Sequence, residues 1–195
     1  MPSHSYENVN GTPYSARGAF RWPGFAARQR LALVAGWVVD VGAAHDFTLR
    51  RARPEDAAAI AETHLASRRH GLPYLPEVHT DAETHQWVAA VMLPQQEVWV
   101  AEIAGEVAGF AALHEGWLEH LYIAPEHQGR GLGSALLDVA MSRSPGGLQL
   151  YAFQRNERAR RFYEGRGFLA EWFGDGSANE EREPDVRYRW PGQPE

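Results

Sequence analysis

The segment from Ala124 to Leu137, APEHQGRGLGSALL, constrains the fold of this chain more than any other. It places glycines at 129, 131 and 133 between an apolar, strand-like run and the start of an apolar helical pattern. Glycine loses conformational entropy in regular structure, so three at alternate positions indicate that bare backbone is required. A helix N-terminus presents unpaired N–H groups and the positive end of its dipole, so such a turn favours an anion. A tight, closely packed turn explains the same residues equally well.

Composition excludes several classes of function. The 195 residues suffice for one domain, and a net charge of −6 gives no electrostatic footprint for nucleic acid. All basic residues are arginine, which excludes a Walker-type phosphate loop because that motif needs lysine. The absence of cysteine excludes thiol nucleophiles and thiolate metal sites. The apolar run 31–39 is far shorter than the ~20 residues of a membrane span. We expect a cytoplasmic protein without metal, nucleic-acid partner or membrane anchor.

The order of sequence patterns predicts the fold class. Residues 1–46 lack any period and predict an irregular, disordered extension, whereas 47–195 predict one domain. Three consecutive strand-like runs with short glycine turns predict an antiparallel meander, and the strand–helix alternation after them predicts a parallel crossover. The predicted strands are 47–52, 97–105, 106–116, 117–124, 148–153, 168–173 and 186–190, and the predicted helices are 54–69, 80–92, 131–143 and 157–166. The prediction is an α/β fold: a mixed, mainly antiparallel twisted sheet flanked by about four helices.

Two motifs, in this order along the chain, resemble the GNAT superfamily of acetyl-CoA-dependent N-acetyltransferases. QGRGLG at 128–133 matches the family loop Gln/Arg-x-x-Gly-x-Gly/Ala at every fixed position. NERARRFYEGRGF at 156–168 matches the family pattern Asn-x-x-Ala-x-x-Phe-Tyr-(x)3-Gly-Phe. The glycine loop that begins at Gly129 does not fit the dinucleotide pattern G-x-G-x-x-G, because Ser134 stands at the position of the third glycine. The resemblance extends from about Phe47 to Trp190 and implies an acetyltransferase that uses acetyl-CoA without a metal.

The resemblance also implies which residues bind acetyl-CoA. The loop backbone would hold the pyrophosphate, and main-chain groups of strand 117–124 would pair with the pantetheine arm like an added strand. That pairing requires the strand to splay from its neighbour, which family members achieve with a bulge. Asn156 would contact CoA, although it also stands where a helix N-cap is expected. The expected cofactor-binding residues are Leu121, Tyr122, Ile123, Gln128, Gly129, Arg130, Gly131, Leu132, Gly133, Ser134 and Asn156.

Acyl transfer to an amine needs a base, an oxyanion donor and help for the leaving thiolate. By resemblance, Tyr163 is the proton donor near the CoA sulfur, although a tyrosine at this place in a helix is also typical of a core. Glu119 is the candidate base, with a water chain as the alternative. Strand alternation sends His120 to the opposite face, so at most one of these two residues faces the site. The backbone N–H of Ile123 or a neighbour is the expected oxyanion donor.

The acceptor side is expected at the helix–loop–helix RRHGLPYLPEVHT, which walls the acceptor pocket in this family. Its candidate pocket residues are His70, Tyr74 and His79. The acids Glu180, Glu181 and Glu183 form either a solvated run or a group that favours a cationic amine. We expect a small-molecule amine as acceptor. Protein amines remain an alternative acceptor, a non-catalytic acyl-CoA sensor remains an alternative function, and a homodimer remains open.

Overall fold

A computed structural model describes residues 46–192 and contains one seven-stranded sheet in the order β1-β2-β3-β4-β5-β7-β6. The strands are β1 (Thr48–Arg51), β2 (Glu97–Ile103), β3 (Glu106–His114), β4 (Trp117–Ile123), β5 (Leu148–Phe153), β6 (Leu169–Phe173) and β7 (Asp185–Trp190). Neighbouring strands are antiparallel, apart from the parallel pair β4 and β5. The predicted mixed, mainly antiparallel sheet is confirmed.

The helices lie close to their predicted positions. They are α1 (Ala57–Gly71), α2 (Asp81–Trp87), α3 (Leu132–Arg143) and α4 (Glu157–Glu164). The second helix was expected to end near Met92, but it continues through a π-helical turn (Val88–Met92) to a last turn (Leu93–Gln95). Within that turn the Leu93 N–H donates to the Val88 carbonyl five residues back. The wider turn suits the following Pro94, which has no N–H to give to a regular helical ladder.

Local sequence signals set the ends of these elements. The Thr80 hydroxyl accepts from the Glu83 N–H, and the Glu83 carboxylate accepts from the Thr80 N–H, which forms the predicted capping box. The hairpin turns at 104–105 and 115–116 each hold two residues with φ between 45° and 87°. Positive φ at both central residues matches the twist of the flanking strands. These turns produce the predicted β2–β3–β4 meander.

Two hydrophobic cores cover opposite faces of the sheet. On one face, α3 and α4 pack against it, and the largest fully buried side chains are Leu132, Leu136, Leu137, Leu148, Leu150, Phe168 and Tyr188. On the other face, α1 and α2 pack against β2, β3 and β4, and the buried residues are Ile60, Ala61, Val88, Met92, Val98, Val100, Phe110 and Ala112. The central strands are therefore covered on both sides, as their nearly continuous apolar sequences require.

The parallel strands β4 and β5 separate almost at once. Their register contains one pair, Trp117 with Gln149. Beyond it, β4 stays paired with β3 as far as Ile123, while β5 stays paired with β7 as far as Phe153. A register shift in the β3–β4 pairing leaves Glu119 as an extra residue on β4. The structure thus contains both the splay and the bulge that the pantetheine pairing would require.

The extension predicted for residues 1–46 lies, apart from Asp46, outside the described residues. Over residues 46–192, no helix combines the length and the apolar composition that a membrane crossing needs. Nor does that stretch bring three or more histidine or acidic side chains into an arrangement that could hold a metal ion.

A polar network joins β1, β2 and the start of α1. The Arg50 guanidinium donates to both carboxylate oxygens of Asp56, at 2.7 and 2.9 Å, and to Glu102 at 2.7 Å. The Arg53 N–H also donates to Asp56, at 2.7 Å. The hydrogen bonds from Arg50 hold the pKa of Asp56 below its ordinary value. Because Asp56 is buried, this carboxylate depends on its partners for solvation.

Replacing Asp56 with asparagine should lower the free energy of unfolding by about 2 kcal/mol at pH 7. Because the pKa of Asp56 is lower in the folded than in the unfolded state, the carboxylate stabilises fully above the unfolded value of about 4. This contribution is lost as the pH falls through the folded pKa. The difference in unfolding free energy between Asp56→Asn and wild type, measured by urea unfolding, should therefore shrink as the pH falls from about 5 to about 3. Glu55→Gln, at the exposed neighbouring residue, should change the free energy of unfolding by no more than about 0.5 kcal/mol. A difference for Asp56→Asn that does not change with pH would assign its effect to something other than the carboxylate charge.

Candidate active site

The gap between β4 and β5 is lined by backbone groups of β4. The Ala124 N–H donates to the Ala108 carbonyl on the β3 side at 2.9 Å. In an antiparallel pair the bonded residues alternate, so Tyr122 directs its N–H and carbonyl toward β3. Leu121 and Ile123 direct theirs toward the gap. Of the three residues expected to pair with pantetheine, two therefore have main-chain groups in position and Tyr122 does not.

The end of β4 is held open by two side chains. The Ile123 carbonyl accepts hydrogen bonds from the Ser67 hydroxyl on α1 and from Gln128 Nε2, the latter at 3.3 Å. The Gln128 side-chain oxygen accepts from Arg158 Nη1 on α4 at 2.6 Å. The first fixed residue of the loop motif thus connects β4 to α4. Its side chain positions the loop, while its backbone remains part of the proposed phosphate site.

The glycine loop ends in an uncapped helix N-terminus. Gly129 and Gly131 have φ of 78° and 88°, in the left-handed region that favours glycine. The first helical hydrogen bond runs from the Ala135 N–H to the Gly131 carbonyl at 3.0 Å. The N–H groups before it, at residues 132–134, have no acceptor within the helix. Three N–H groups at the positive end of a twelve-residue helix suit a phosphate, as the sequence predicts.

Other residues of the loop differ in what they can offer. The Leu132 side chain belongs to the core, so its contribution is limited to the backbone N–H. A Cβ on Gly133 would make ordinary contacts, 3.7 Å from Ile123 and 3.9 Å from Phe162. Packing therefore does not require glycine at 133. Arg130 is exposed and 3.8 Å from Asp46, so it adds positive charge beside the loop.

Asn156 and Tyr163 of the second motif both have the structural roles that the sequence offers as alternatives to their functional ones. Asn156 caps α4, because its side-chain oxygen accepts from the Ala159 N–H at 3.1 Å. Tyr163 is buried in the core, with its ring centroid 5.2 Å from Phe162 and 5.6 Å from Phe168. Burial, with a smaller effect of Tyr122, raises the pKa of Tyr163 well above the ordinary tyrosine value. Its phenol therefore keeps its proton throughout the neutral range.

Glu119 is an exposed residue at the start of the gap. Water still reaches its side chain, yet the surrounding protein desolvates the carboxylate and raises its pKa to about 7. The expectation that Glu119 and His120 take opposite faces rests on strict alternation, which is interrupted here because Glu119 is the extra residue of the bulge. His120 shares the α1 face with Tyr122, their ring centroids 6.1 Å apart. Glu119 interacts electrostatically with Tyr151.

A wall of aromatic rings, not anticipated from the sequence, lies beside this carboxyl. His64 packs 4.7 Å from Tyr122, and Trp87 packs 5.1 Å from His120, between ring centroids. Burial lowers the pKa of His64 to about 2 and that of His120 to about 4, with smaller effects of neighbouring charges. Both imidazoles are neutral near pH 7, so this wall carries no charge of its own. The sequence gives separate reasons to single out His120 and Tyr122, but no pattern in it joins them to His64 and Trp87.

Contacts join the end of α1 and the α1–α2 loop to the β6–β7 loop, on the side that the family resemblance predicts for the acceptor. Arg68 pairs with Glu181 at 2.9 Å, and His79 pairs with Glu180 at 2.8 Å. These two, together with the contacts of Tyr74 described next, are called the interloop contacts. Arg68 also interacts electrostatically with Tyr122. Periodicity gives no reason to single out Arg68, because the pairing depends on a residue more than a hundred positions away.

Tyr74 supplies the third interloop contact through Arg155. The Arg155 guanidinium lies 4.2 Å from the Tyr74 ring centroid and 3.7 Å from Glu183. The predicted pocket residues Tyr74 and His79 thus both face the β6–β7 loop. His70 is exposed at the end of α1, and no ion pair or hydrogen bond within residues 46–192 joins it to them.

Of the two alternatives for the acids of the β6–β7 loop, the one in which they favour a cationic amine loses its basis. That expectation depended on the free charge of three acids in the β6–β7 loop. The structure pairs each of them with a basic or imidazole side chain: Glu180 with His79, Glu181 with Arg68, and Glu183 with Arg155. A carboxylate that already has such a partner has little attraction left for a second cation.

Comparisons with known proteins agree with this geometry. A family model described as an acetyltransferase (GNAT) domain matches residues 94–169. The peptidyl-lysine N-acetyltransferase YiaC of Escherichia coli is 31% identical over 121 residues, which cover 62% of this chain and 82% of YiaC. The L-amino acid N-acyltransferase MnaT of Escherichia coli is 33% identical over 106 residues, covering 47% of this chain and 59% of MnaT.

A solved structure shares the fold. The yncA protein of Salmonella typhimurium, solved with acetyl-CoA, superposes with a TM-score of 0.61 at 20% identity, over 76% of this chain and 95% of that one. At this identity the likeness concerns the fold alone. YiaC, matched over most of its length, and the family model carry the assignment. The chain is an acyltransferase and belongs to the GNAT family of N-acetyltransferases.

Proposed function

We propose that this protein transfers the acetyl group of acetyl-CoA to the primary amine of a small molecule, by direct attack while both substrates are bound. The gap between β4 and β5 carries the proposal. It has inward-directed N–H groups along β4, the glycine loop beyond its open end, and Glu119 where the strands part. A strand-shaped slot beside an anion site suits a donor that joins an extended amide arm to a pyrophosphate.

The donor side is served mainly by backbone. The N–H groups at 132–134 and the helix dipole would hold the phosphates, with positive charge nearby from Arg130 and Arg158. Leu121 and Ile123 would bond the pantetheine amides across the gap. Asn156, which caps α4, and Ser134 would contact CoA from the two helix N-termini. The acetyl-CoA bound in the yncA structure supports this choice of donor.

Glu119 is the proposed general base. A primary amine with a pKa of about 10 is neutral in only about one molecule in a thousand at pH 7, so its proton must be removed before attack. A carboxylate with a pKa of about 7 accepts a proton much better than an ordinary glutamate and is still half ionised at neutral pH. Glu119 would take the proton directly or through one water.

Backbone and phenol would serve the other end of the reaction. The N–H of Leu121 or Ile123 would donate to the thioester oxygen as negative charge develops there. Tyr163 would donate a hydrogen bond to the departing sulfur. Because the pKa of Tyr163 is raised, full transfer of its proton to a thiolate of pKa about 8.5 is unfavourable. Its proposed role is therefore stabilisation through a hydrogen bond.

The interloop contacts favour a small acceptor. They tie the end of α1 and the loop before α2 to the β6–β7 loop, across the side where we place the acceptor. Arg68 and Glu181 are both mostly shielded from water, so this pair is harder to open than an exposed one. MnaT, named for amino acid substrates, agrees with a small acceptor. YiaC, named for peptidyl-lysine, makes lysine peptides the necessary comparison.

Acetyl-CoA with a panel of small amines, amino acids and lysine peptides should release free thiol, fastest with small acceptors. The chain has no cysteine, so a thiol reagent detects only CoA. Tyr163→Phe should lower kcat about 100-fold and leave the Kd for acetyl-CoA within about twofold. Tyr188→Phe removes another core hydroxyl, bonded to Glu164 at 2.6 Å, and should leave kcat unchanged. Equal rates in wild type and Tyr163→Phe would remove Tyr163 from the mechanism, and bound acetyl-CoA without any release would support the sensor alternative.

The rate should depend on pH through Glu119. Because the base must be deprotonated, kcat/KM for an amine that titrates above pH 9 should rise with pH and bend near pH 7. Glu119→Gln should lower kcat about 100-fold and abolish the bend. Glu115→Gln, at an exposed glutamate of the preceding turn, should keep both the rate and the bend. A bend that persists in Glu119→Gln would favour the water-chain alternative.

The phosphate site can be tested at Gly131 against a glycine of equal backbone strain. Gly131 and Gly116 have φ of 88° and 84°, and a Cβ at either position meets nothing within 4 Å. Alanine at each should therefore cost about 1 kcal/mol of stability. Only Gly131→Ala should weaken acetyl-CoA binding, by about tenfold or more, since it disturbs hydrogen bonds to a charged group. Equal Kd values for the two variants by calorimetry would contradict the loop assignment.

A further inference from the structure

We infer that Tyr151 determines acceptor specificity, by stacking its ring against an aromatic group that the acceptor carries near its amine. The inference rests on the proposed function, because it concerns the acceptor pocket of that same site. It names the class of acceptor as a small primary amine with an aromatic ring.

Tyr151 stands across the gap from the proposed base. The parallel pair Trp117–Gln149 fixes the register of the two strands, and two residues farther along each strand are Glu119 and Tyr151. The electrostatic interaction between these two side chains agrees with that placement. Tyr151 alternates with the core residues Leu150 and Ala152, so it lies on the face away from α3 and α4, where the acceptor would enter.

The Tyr151 ring is exposed and yet fixed in place. Its exposed fraction is 44%, unusual for a large side chain in the interior of a sheet. One side of it stacks on Trp117, with centroids 5.4 Å apart and planes 11° from parallel. Its hydroxyl interacts electrostatically with the guanidinium of Arg187, the residue directly opposite on β7. A ring already held in one orientation loses little entropy when a ligand stacks on it.

The other side of the pocket has matching chemistry. The wall formed by His64, Trp87, His120 and Tyr122 is aromatic and uncharged near neutral pH. Along β4, Glu119 stands between Trp117 of the Trp117–Tyr151 pair and His120 of this wall. The nearby acids of the β6–β7 loop are already paired, so a second charge on the acceptor would find no partner among them. Rings on both sides of one carboxyl favour an acceptor that has one amine and one flat apolar group.

The test compares 2-phenylethylamine with 2-cyclohexylethylamine and n-propylamine, three amines of similar basicity. In wild type, kcat/KM for 2-phenylethylamine should exceed that for each of the others by roughly 3- to 10-fold, the usual range for one aromatic contact. Tyr151→Ala should reduce this ratio to near unity, whereas Tyr151→Phe should keep it, because the ring and not the hydroxyl makes the contact. Exposure of the side chain makes both variants tolerable to the fold, and melting curves check this.

Phe173→Ala is the matched control. Phe173 is an aromatic residue with an exposed fraction of 57%, on strand β6 at the edge of the same sheet. It pairs with the core residue Val186 and has no part in the pocket. Its replacement should leave the ratio at the wild-type value.

A second readout separates this inference from the proposed function. Calorimetry measures the Kd of 2-phenylethylamine in the presence of CoA, with no chemistry needed. Binding that weakens in Tyr151→Ala supports the inference, even if no acceptor in the panel is acetylated and the proposed function fails. The same Kd or the same ratio in wild type and Tyr151→Ala would overturn the inference. So would loss of the preference in Tyr151→Phe, or the absence of any binding or preference in wild type.

Discussion

A gap inside a β-sheet is the constraint on which the rest of this structure depends. Backbone N–H and carbonyl groups in a sheet normally pair with the next strand, and burying them unpaired is unfavourable. Beyond Trp117, β4 has β3 on one side and no strand on the other. The fold tolerates this because the Ile123 carbonyl is bonded by Ser67 and Gln128 from opposite sides. The two cores keep both halves of the sheet in place around the gap.

Burial, more than charge pairing, sets the acid–base properties near the gap. Desolvation raises the pKa of Glu119 and of Tyr163, and it lowers the pKa of His64 and His120. Each group is thereby shifted toward its neutral form. The charged side chains nearby, such as Arg68 and Glu181, are largely neutralised by each other. One environment can therefore hold a glutamate ready to accept a proton and a phenol that retains its own.

Local signals in the sequence predict much of this structure. The bounds of β5 were predicted in full, and α3 begins within one residue of expectation, because alternation, caps and glycines act over a few positions. The Asn156 cap could be read from its neighbours for the same reason. Where the prediction failed, the cause was tertiary. The bulge at Glu119 is a property of how β4 pairs with β3, and no pattern within β4 reveals it.

Contacts between distant segments were equally hidden. Arg68 and Glu181 are separated by 113 positions, so neither helical periodicity nor loop composition could join them. The β6–β7 acids looked like a solvated run, because a charge pattern does not show which arginines will fold against it. Tyr151 occupied an ordinary place in a predicted strand. Its significance depends on the early separation of β4 from β5, which is a property of the whole sheet.

The gap also has a consequence for the order of events. Its two openings lie on opposite faces of the sheet, with the glycine loop and α3 on one and α1 with Tyr151 on the other. Under the proposed function, the donor and the acceptor approach each other through the thickness of the sheet. Neither has to pass the other to enter, and neither product obstructs the exit of its partner. Under that proposal the architecture would impose no fixed sequence of binding and release, and saturation by one substrate would leave the path of the other open.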